Sequence, residues 1–206
     1  MMKNLWFVSS FILVLISCNS FICKNIQTNN GANKNAAVIF SDTLAVKRYK
    51  AKVNYKTTEI TGILICKKID NSTLAGVFIN EFGIKGFDFT LTETGAKMGY
   101  VFKNLDKWYI RKTLETDLHF LFSRPKLQSI CTINDTMVYL VPVTRKLHYV
   151  YHLTSKGGMK KVDMYKGGHI IATMKQYTNN LSENVFNMQH TDGMLNFEFC
   201  EINKTK

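Results

Sequence analysis

Two long stretches of this chain, residues 47–102 and 136–201, alternate apolar and polar side chains residue by residue, and that period constrains the fold more than any other feature. Alternation of this kind puts one row of apolar side chains on a single face of each strand, so such strands pair into a sheet with one face to hide. Turn-forming groups punctuate the alternation. Asp70-Asn71-Ser72, Glu81-Phe82-Gly83 and Glu93-Thr94-Gly95 divide the first stretch, and Gly157-Gly158, Gly167-Gly168, Asn179-Asn180 and Asp192-Gly193 divide the second. Asp-Gly is among the strongest short hairpin signals, and glycine accepts the positive φ that tight turns demand. The spacing predicts strands at 47–55, 60–68, 73–80, 84–92 and 97–102, then at 136–143, 147–153, 159–165, 169–177, 184–190 and 194–201. Phe87, Phe89 and Leu91 then share a face opposite Asp88 and Thr90.

The segment 105–124 breaks the pattern. Ile110, Leu114, Leu118, Leu121 and Phe122 recur at helical spacing, with Lys107, Arg111, Lys112, Glu115 and Thr116 between them, and Pro125 ends the run by pushing its predecessor out of helical geometry. The expected architecture is mainly β with α: a curled antiparallel sheet or incomplete barrel of about 11 strands, its concave face covered by one amphipathic helix. One domain over residues 36–206 is long enough for a real core. Whether 36–46 opens that domain as a helix or a strand stays open.

Residues 1–17 read as a leader. Lys3 is basic, residues 5–16 are apolar and too short for a comfortable bilayer span, and Leu15-Ile16-Ser17-Cys18 follows. These four residues resemble the lipobox of bacterial lipoproteins, which implies that Cys18 receives diacylglycerol and a further acyl chain, is the lipid-attachment site, and begins the mature chain; an ordinary secretory leader is the alternative. Several acyl chains hold a protein at a membrane where one alone holds it marginally. Residues 18–35, polar and rich in Asn and Lys, are expected to form a flexible tether. Asn19 is not the Asp that acts as an inner-membrane retention signal in some sorting systems, and the residues after Cys18 lack an acidic cluster. The resemblance therefore implies the periplasmic face of the outer membrane. The 27 Lys and Arg against 15 Asp and Glu favour an anionic partner, in this setting lipid or glycolipid headgroups and not nucleic acid, although lysines also guard strand edges.

Catalytic signatures are absent from the sequence: no GxSxG, no HExxH and no phosphate-binding glycine loop. No metal site is expected, since Cys23, Cys66, Cys131 and Cys200 fall in no CxxC or Cys/His pattern. A disulfide between Cys66 and Cys200 and free buried thiols both remain open. Glu115 and His119 lie four apart on the predicted helix and read as a surface pair. His148 and His152 share a strand face about 13 Å apart, beyond joint chelation. Gly167-Gly168-His169 reads as a hairpin turn. An enzyme is not expected, and no cofactor beyond the acyl groups on Cys18.

The order of elements, with the lipobox, resembles the LolA/LolB-type lipoprotein-localisation fold, an incomplete antiparallel barrel whose apolar hollow receives acyl chains under helices. Residues 62–68 (GILICKK), 80–89 (NEFGIKGFDF) and 105–121, within the span 61–122, are also similar to a group of bacterial envelope lipoproteins that combine a strand, an F-G-x-K-x-F-D-F hairpin and a helix. The resemblance implies a membrane-anchored protein that binds a lipid, a glycolipid or the acyl chains of another lipoprotein, in envelope lipid or lipoprotein trafficking. Phe78, Phe87, Phe89, Tyr100 and Phe102 either line such a lipid cavity or fill a closed core, with Leu114 and Leu118 of the helix above them. With a filled core the chain would instead be a scaffold for an envelope protein complex. LolB-like proteins insert a protruding apolar loop into the membrane; the nearest counterpart is the turn Glu81-Phe82-Gly83, whose Phe82 is expected to pack back onto the domain.

Overall fold

The computed structural model describes residues 46–70, 72–123, 130–133, 136–154, 158–180 and 183–202. The expected leader, the tether, Cys18, Cys23 and Pro125 lie outside them. The first half is a meander of five strands, β1 (Lys47–Tyr55), β2 (Thr58–Lys68), β3 (Leu74–Asn80), β4 (Lys85–Thr92) and β5 (Gly95–Val101). The helix α1 (Trp108–Phe122) follows. Among the described residues seven strands then follow: β6 (Ile130–Ile133), β7 (Thr136–Pro142), β8 (Leu147–Thr154), β9 (Met159–Lys166), β10 (His169–Thr178), β11 (Asn184–His190) and β12 (Leu195–Glu201).

All twelve form one sheet in the order β5-β4-β3-β2-β1-β12-β11-β10-β9-β8-β7-β6, and each described neighbour pair is antiparallel. Two meanders are thus joined in mid-sheet by the pairing of β1 with β12, which sets Tyr49 opposite Glu201 and Tyr55 opposite Leu195. The edges are β5 and β6, the two strands that flank the helix in sequence, so the sheet is an incomplete barrel left open where α1 crosses. Register shifts at Phe78/Ile79, Phe87/Phe89, His152/Leu153 and Ile170/Ala172 bend the strands. Each such bulge adds local twist, and twist is what curls a sheet this wide around a core.

The sheet has one more strand than the alternation predicts. β6 is four residues, Ile-Cys-Thr-Ile, too short to display a period, yet it pairs with β7 through Ile130 opposite Tyr139 and Ile133 opposite Thr136. The helix is also shorter than expected, starting at Trp108 in place of residue 105. The guanidinium of Arg111 reaches back to both oxygens of Asp106, and Leu105 donates its N–H to Phe102, so residues 102–107 are held as turns.

The core follows the pleat. Tyr49, Ala51 and Val53 of β1, Phe197 and Phe199 of β12, Phe186 and Met188 of β11, and Tyr149 and Tyr151 of β8 are all buried on the concave side. Into this hollow α1 drives Leu118, Phe120, Leu121 and Phe122. Phe122 stacks 5.9 Å from Phe89 and lies 6.2 Å from Phe199, while Phe120 meets Tyr149 edge-on at 4.9 Å. One helix thereby ties β4 to β12 and to β8. Gly76 makes room for this, because a Cβ there would lie 2.2 Å from the Phe89 ring. Cys66 and Cys200 are free thiols, one on the buried inner face of β2 and the other beside Glu183 with β1 between their strands.

Candidate functional site

Antiparallel succession sends the β1–β2, β3–β4, β7–β8, β9–β10 and β11–β12 turns, and the β5–α1 connection, to one end of the sheet. Backbone bonds stitch these turns together: Lys56 N–H to the Met194 carbonyl at 2.8 Å, Gly167 N–H to the Lys146 carbonyl at 2.9 Å and Thr191 N–H to the Ile171 carbonyl at 3.1 Å. At this end the concave face is not filled. A cavity of about 990 Å³ lies between the sheet and the first three turns of α1. Its size is at the upper end of what small-molecule sites use.

The walls come from many elements. Val53, Tyr55, Ile60, Phe78 and Phe87 supply the sheet side; Ile84, Phe102, Leu105, Leu147 and Leu195 supply the mouth; Tyr109, Ile110, Thr113 and Leu114 look down from the helix. The alternation of each strand aims the sheet residues inward, and the i, i+3, i+4 spacing of 110, 113 and 114 aims the helix residues toward them.

The seven residues singled out from sequence separate in space. Phe78, Phe87, Phe102 and Leu114 line the cavity. Phe89 and Leu118 are buried deeper, in the filled part of the core, Phe89 against Phe122. Tyr100 is exposed, with the Lys85 ammonium 4.8 Å above its ring. The register shift between β4 and β5 accounts for that, since a slip of one residue sends a side chain to the opposite face.

Among the polar residues of the wall that sequence reasoning missed is one buried pair. Asp117, one helical turn beyond Leu114, is 1% exposed, and its Oδ2 accepts from His190 Nε2 on β11 at 3.0 Å. Burial pushes the Asp117 carboxyl up, against the lowering effect of His190. For His190 burial works downward, but the carboxylate beside it prevails and holds the imidazole above its ordinary value. The two lie 73 residues apart, so no local pattern announces the pair.

The mouth is both apolar and basic. Phe82, expected to pack back, instead stands 86% exposed at the tip of the β3–β4 turn, where Gly83 takes φ 77° and the Asn80 side chain caps the N–H groups of Phe82 and Ile84. A turn this tight leaves its second residue no surface to fold onto. Trp108, at the start of α1, is 81% exposed and meets Tyr109 edge-on, and Ile84, Tyr109 and Met194 of the cavity lining are exposed as well. Lys56, Lys103, Lys107, Arg145, Lys146 and Lys166 occupy the same turns. The acidic groups here are partly engaged: Glu81 accepts the Thr61 hydroxyl, Asp106 pairs with Arg111 and Glu59 with Lys52.

Other candidates resolve into packing. Glu115 accepts the Met98 N–H, whereas His119 pairs through Nδ1 with the Tyr149 hydroxyl at 2.8 Å, and burial holds that imidazole below its ordinary value. His148 stacks on Tyr165, while His152 donates to Asp163. Gly167 and Gly168 form the β9–β10 turn, both with positive φ. Among the described residues no three His, Cys, Asp or Glu side chains converge as a metal would require, and no helix is long and apolar enough to cross a membrane.

An open, curled antiparallel sheet with a helix in its hollow is the LolA/LolB-like fold. Among solved structures, this chain is similar to a LolA-superfamily protein of Nitrosomonas europaea, with a TM-score of 0.51 and 8% identity over 81% of this chain and 88% of that one. A domain assigned to outer membrane lipoprotein sorting in Vibrio parahaemolyticus gives a TM-score of 0.48 and 11% identity over 79% of this chain and 86% of that one. At 8% identity the likeness to the Nitrosomonas protein fixes the fold alone. No family model matches the sequence, and no curated protein does.

Proposed function

We propose that the chain is a non-enzymatic envelope lipoprotein that takes an amphiphile into the open end of its sheet. The amphiphile would be a lipid, a glycolipid or the acyl chains of another lipoprotein, as in envelope lipid or lipoprotein trafficking. One observation carries this reading: a cavity of about 990 Å³ with largely apolar walls opens at an end where exposed aromatic and basic side chains gather. Acyl chains leaving water for those walls would gain about 25 cal/mol per Å² buried, and an anionic headgroup would sit among the lysines of the turns. A docking scaffold has no need of such a hollow, which favours binding over scaffolding.

Acylated Cys18 would hold the domain within reach of a membrane, with residues 18–35 as its leash and the periplasmic face of the outer membrane as its site. Phe82 and Trp108 are then the side chains placed to touch the bilayer while the cavity empties or fills, in the manner of the protruding loop of LolB-like proteins. The deciding measurement is native mass spectrometry of the full chain extracted from membranes. A co-purified amphiphile is expected, and a chain that is ligand-free in every preparation would overturn the reading. Separately, Cys18→Ala is expected to release the protein from membranes or block its maturation, and unchanged acylation would remove the anchor from the proposal.

A further inference from the structure

The cavity has one feature that apolar walls do not explain. Asp117 is its innermost lining residue on α1, about 10 Å along the helix from Ile110 at the mouth. The side chain is 1% exposed, Oδ2 is taken by His190, and Oδ1 has no hydrogen-bond partner among the described residues. A carboxylate oxygen deprived of both water and a donor is costly, and native structures seldom leave one so. The other deeply buried carboxylate among the described residues makes the contrast. Asp163 is also 1% exposed, yet its Oδ1 accepts from Thr173 at 2.8 Å and its Oδ2 from His152 at 2.9 Å and Lys161 at 2.7 Å. Asp163 is satisfied by its own chain and does not line the cavity under α1. Asp117 lines it and keeps an acceptor unused, closed to water, which a donor reaches with a small shift of the side chain.

A container for plain hydrocarbon gains nothing from a carboxylate at this depth, since leucine would suit the same helical face. We infer that Asp117 and His190 form a polar subsite at the floor of the cavity, and that the bound amphiphile carries a hydrogen-bond donor there, a hydroxyl or an amide N–H about 10 Å inside the mouth, which donates to Asp117 Oδ1. His190 holds Oδ2 and so sets the orientation of the carboxylate that the donor meets. The inference rests on the amphiphile-binding reading and narrows its ligand class: a hydroxylated or amide-bearing chain is preferred over the saturated chain of equal length.

The test offers the full chain stearate together with hydroxystearates whose hydroxyl is moved along the chain, and quantifies what is retained by extraction and mass spectrometry. A second series replaces the hydroxyl by a secondary amide and so tells the two donors apart. Positional isomers are nearly equal in hydrophobicity, so a preference among them reports the site itself. One range of positions is expected to be retained about tenfold better than the others, as a hydrogen bond to a charged group allows. In Asp117→Leu that preference should vanish while stearate binds at least as well. Should that variant fold poorly, Asp117→Leu/His190→Leu removes both polar partners and leaves neither unpaired. Equal retention of stearate and every isomer by the native chain would overturn the inference, leaving Oδ1 to an ordered water only. A preference that survives in the leucine variants would overturn it too. Retention of none of these probes would take down the amphiphile-binding reading with it.

Discussion

The two ends of the sheet are built from the same strands and covered by the same helix, yet one is packed and the other hollow. At the packed end α1 presents Leu118, Phe120, Leu121 and Phe122, which meet Phe89, Tyr149 and Phe199. At the hollow end it presents Ile110, Thr113, Leu114 and Asp117 over Phe78, Phe87 and Val53. Two leucines and two phenylalanines within five residues occlude the concavity; an isoleucine, a threonine, a leucine and an aspartate spread over eight do not. Packing and open volume are thus segregated along a single helix. The packed half fixes the curl of the sheet, and that curl keeps the other half open.

If this division is right, equal truncations at the two ends have unequal consequences. Phe120→Ala, at a side chain with no exposure, is expected to lower stability by about 3–5 kcal/mol. Ile110→Ala, against a cavity that already exists, is expected to lower it by no more than about 1 kcal/mol. Denaturant midpoints at constant m-value measure both, and similar losses would break the division.

That division is only half legible in the sequence. Strand alternation and turn residues place eleven strands and the helix within a few residues, because those signals are local. β6 escapes for want of length, and Tyr100 changes face at a register shift that no composition announces. The hollow itself is a property of distance. Phe87 and Phe89 sit two residues apart on one face of β4, indistinguishable by pattern, but one borders empty space and the other stacks on Phe122. Asp117 reads as one more polar residue of an amphipathic helix until β11 brings His190 to it.

Packing at the filled end can also be tested by addition. Gly76→Ala places a methyl 2.2 Å from the Phe89 ring, which is held in turn by Phe122, so neither ring has room to retreat. Overpacking of this kind is expected to cost about 1–3 kcal/mol, read as a lower denaturant midpoint. A neutral outcome would mean that the filled end is looser than its contacts imply.

The two buried carboxylates carry the contrast into pH dependence. Burial alone would raise Asp163, but hydrogen bonds from His152, Lys161 and Thr173 outweigh it and hold the carboxyl at about 2. A folded value below the unfolded one stabilises at pH above about 4 and is lost as pH falls toward 2, a contribution of about 2 kcal/mol. Asp117 has the opposite sign, because burial raises it and acid relieves the cost of its charge. Stability followed from pH 5 downward should therefore fall less steeply in Asp163→Asn than in the native chain, and an unchanged slope would show that the Asp163 network is not what acid breaks.

The smallest expected effect on stability is also the sharpest test of the hollow. Thr113 lines the cavity from the helix, half-buried, with open volume before it. In Thr113→Trp the indole has space that a packed core would deny it, so stability should change by less than about 1 kcal/mol, where the same enlargement at Leu118 meets filled density and costs about 1–3 kcal/mol. The indole would also occupy the volume proposed for acyl chains, so retained amphiphile should fall while the fold persists. A Thr113→Trp chain that unfolds would mean the open end is collapsed in solution, and one that keeps its full load would place the ligand elsewhere on the molecule.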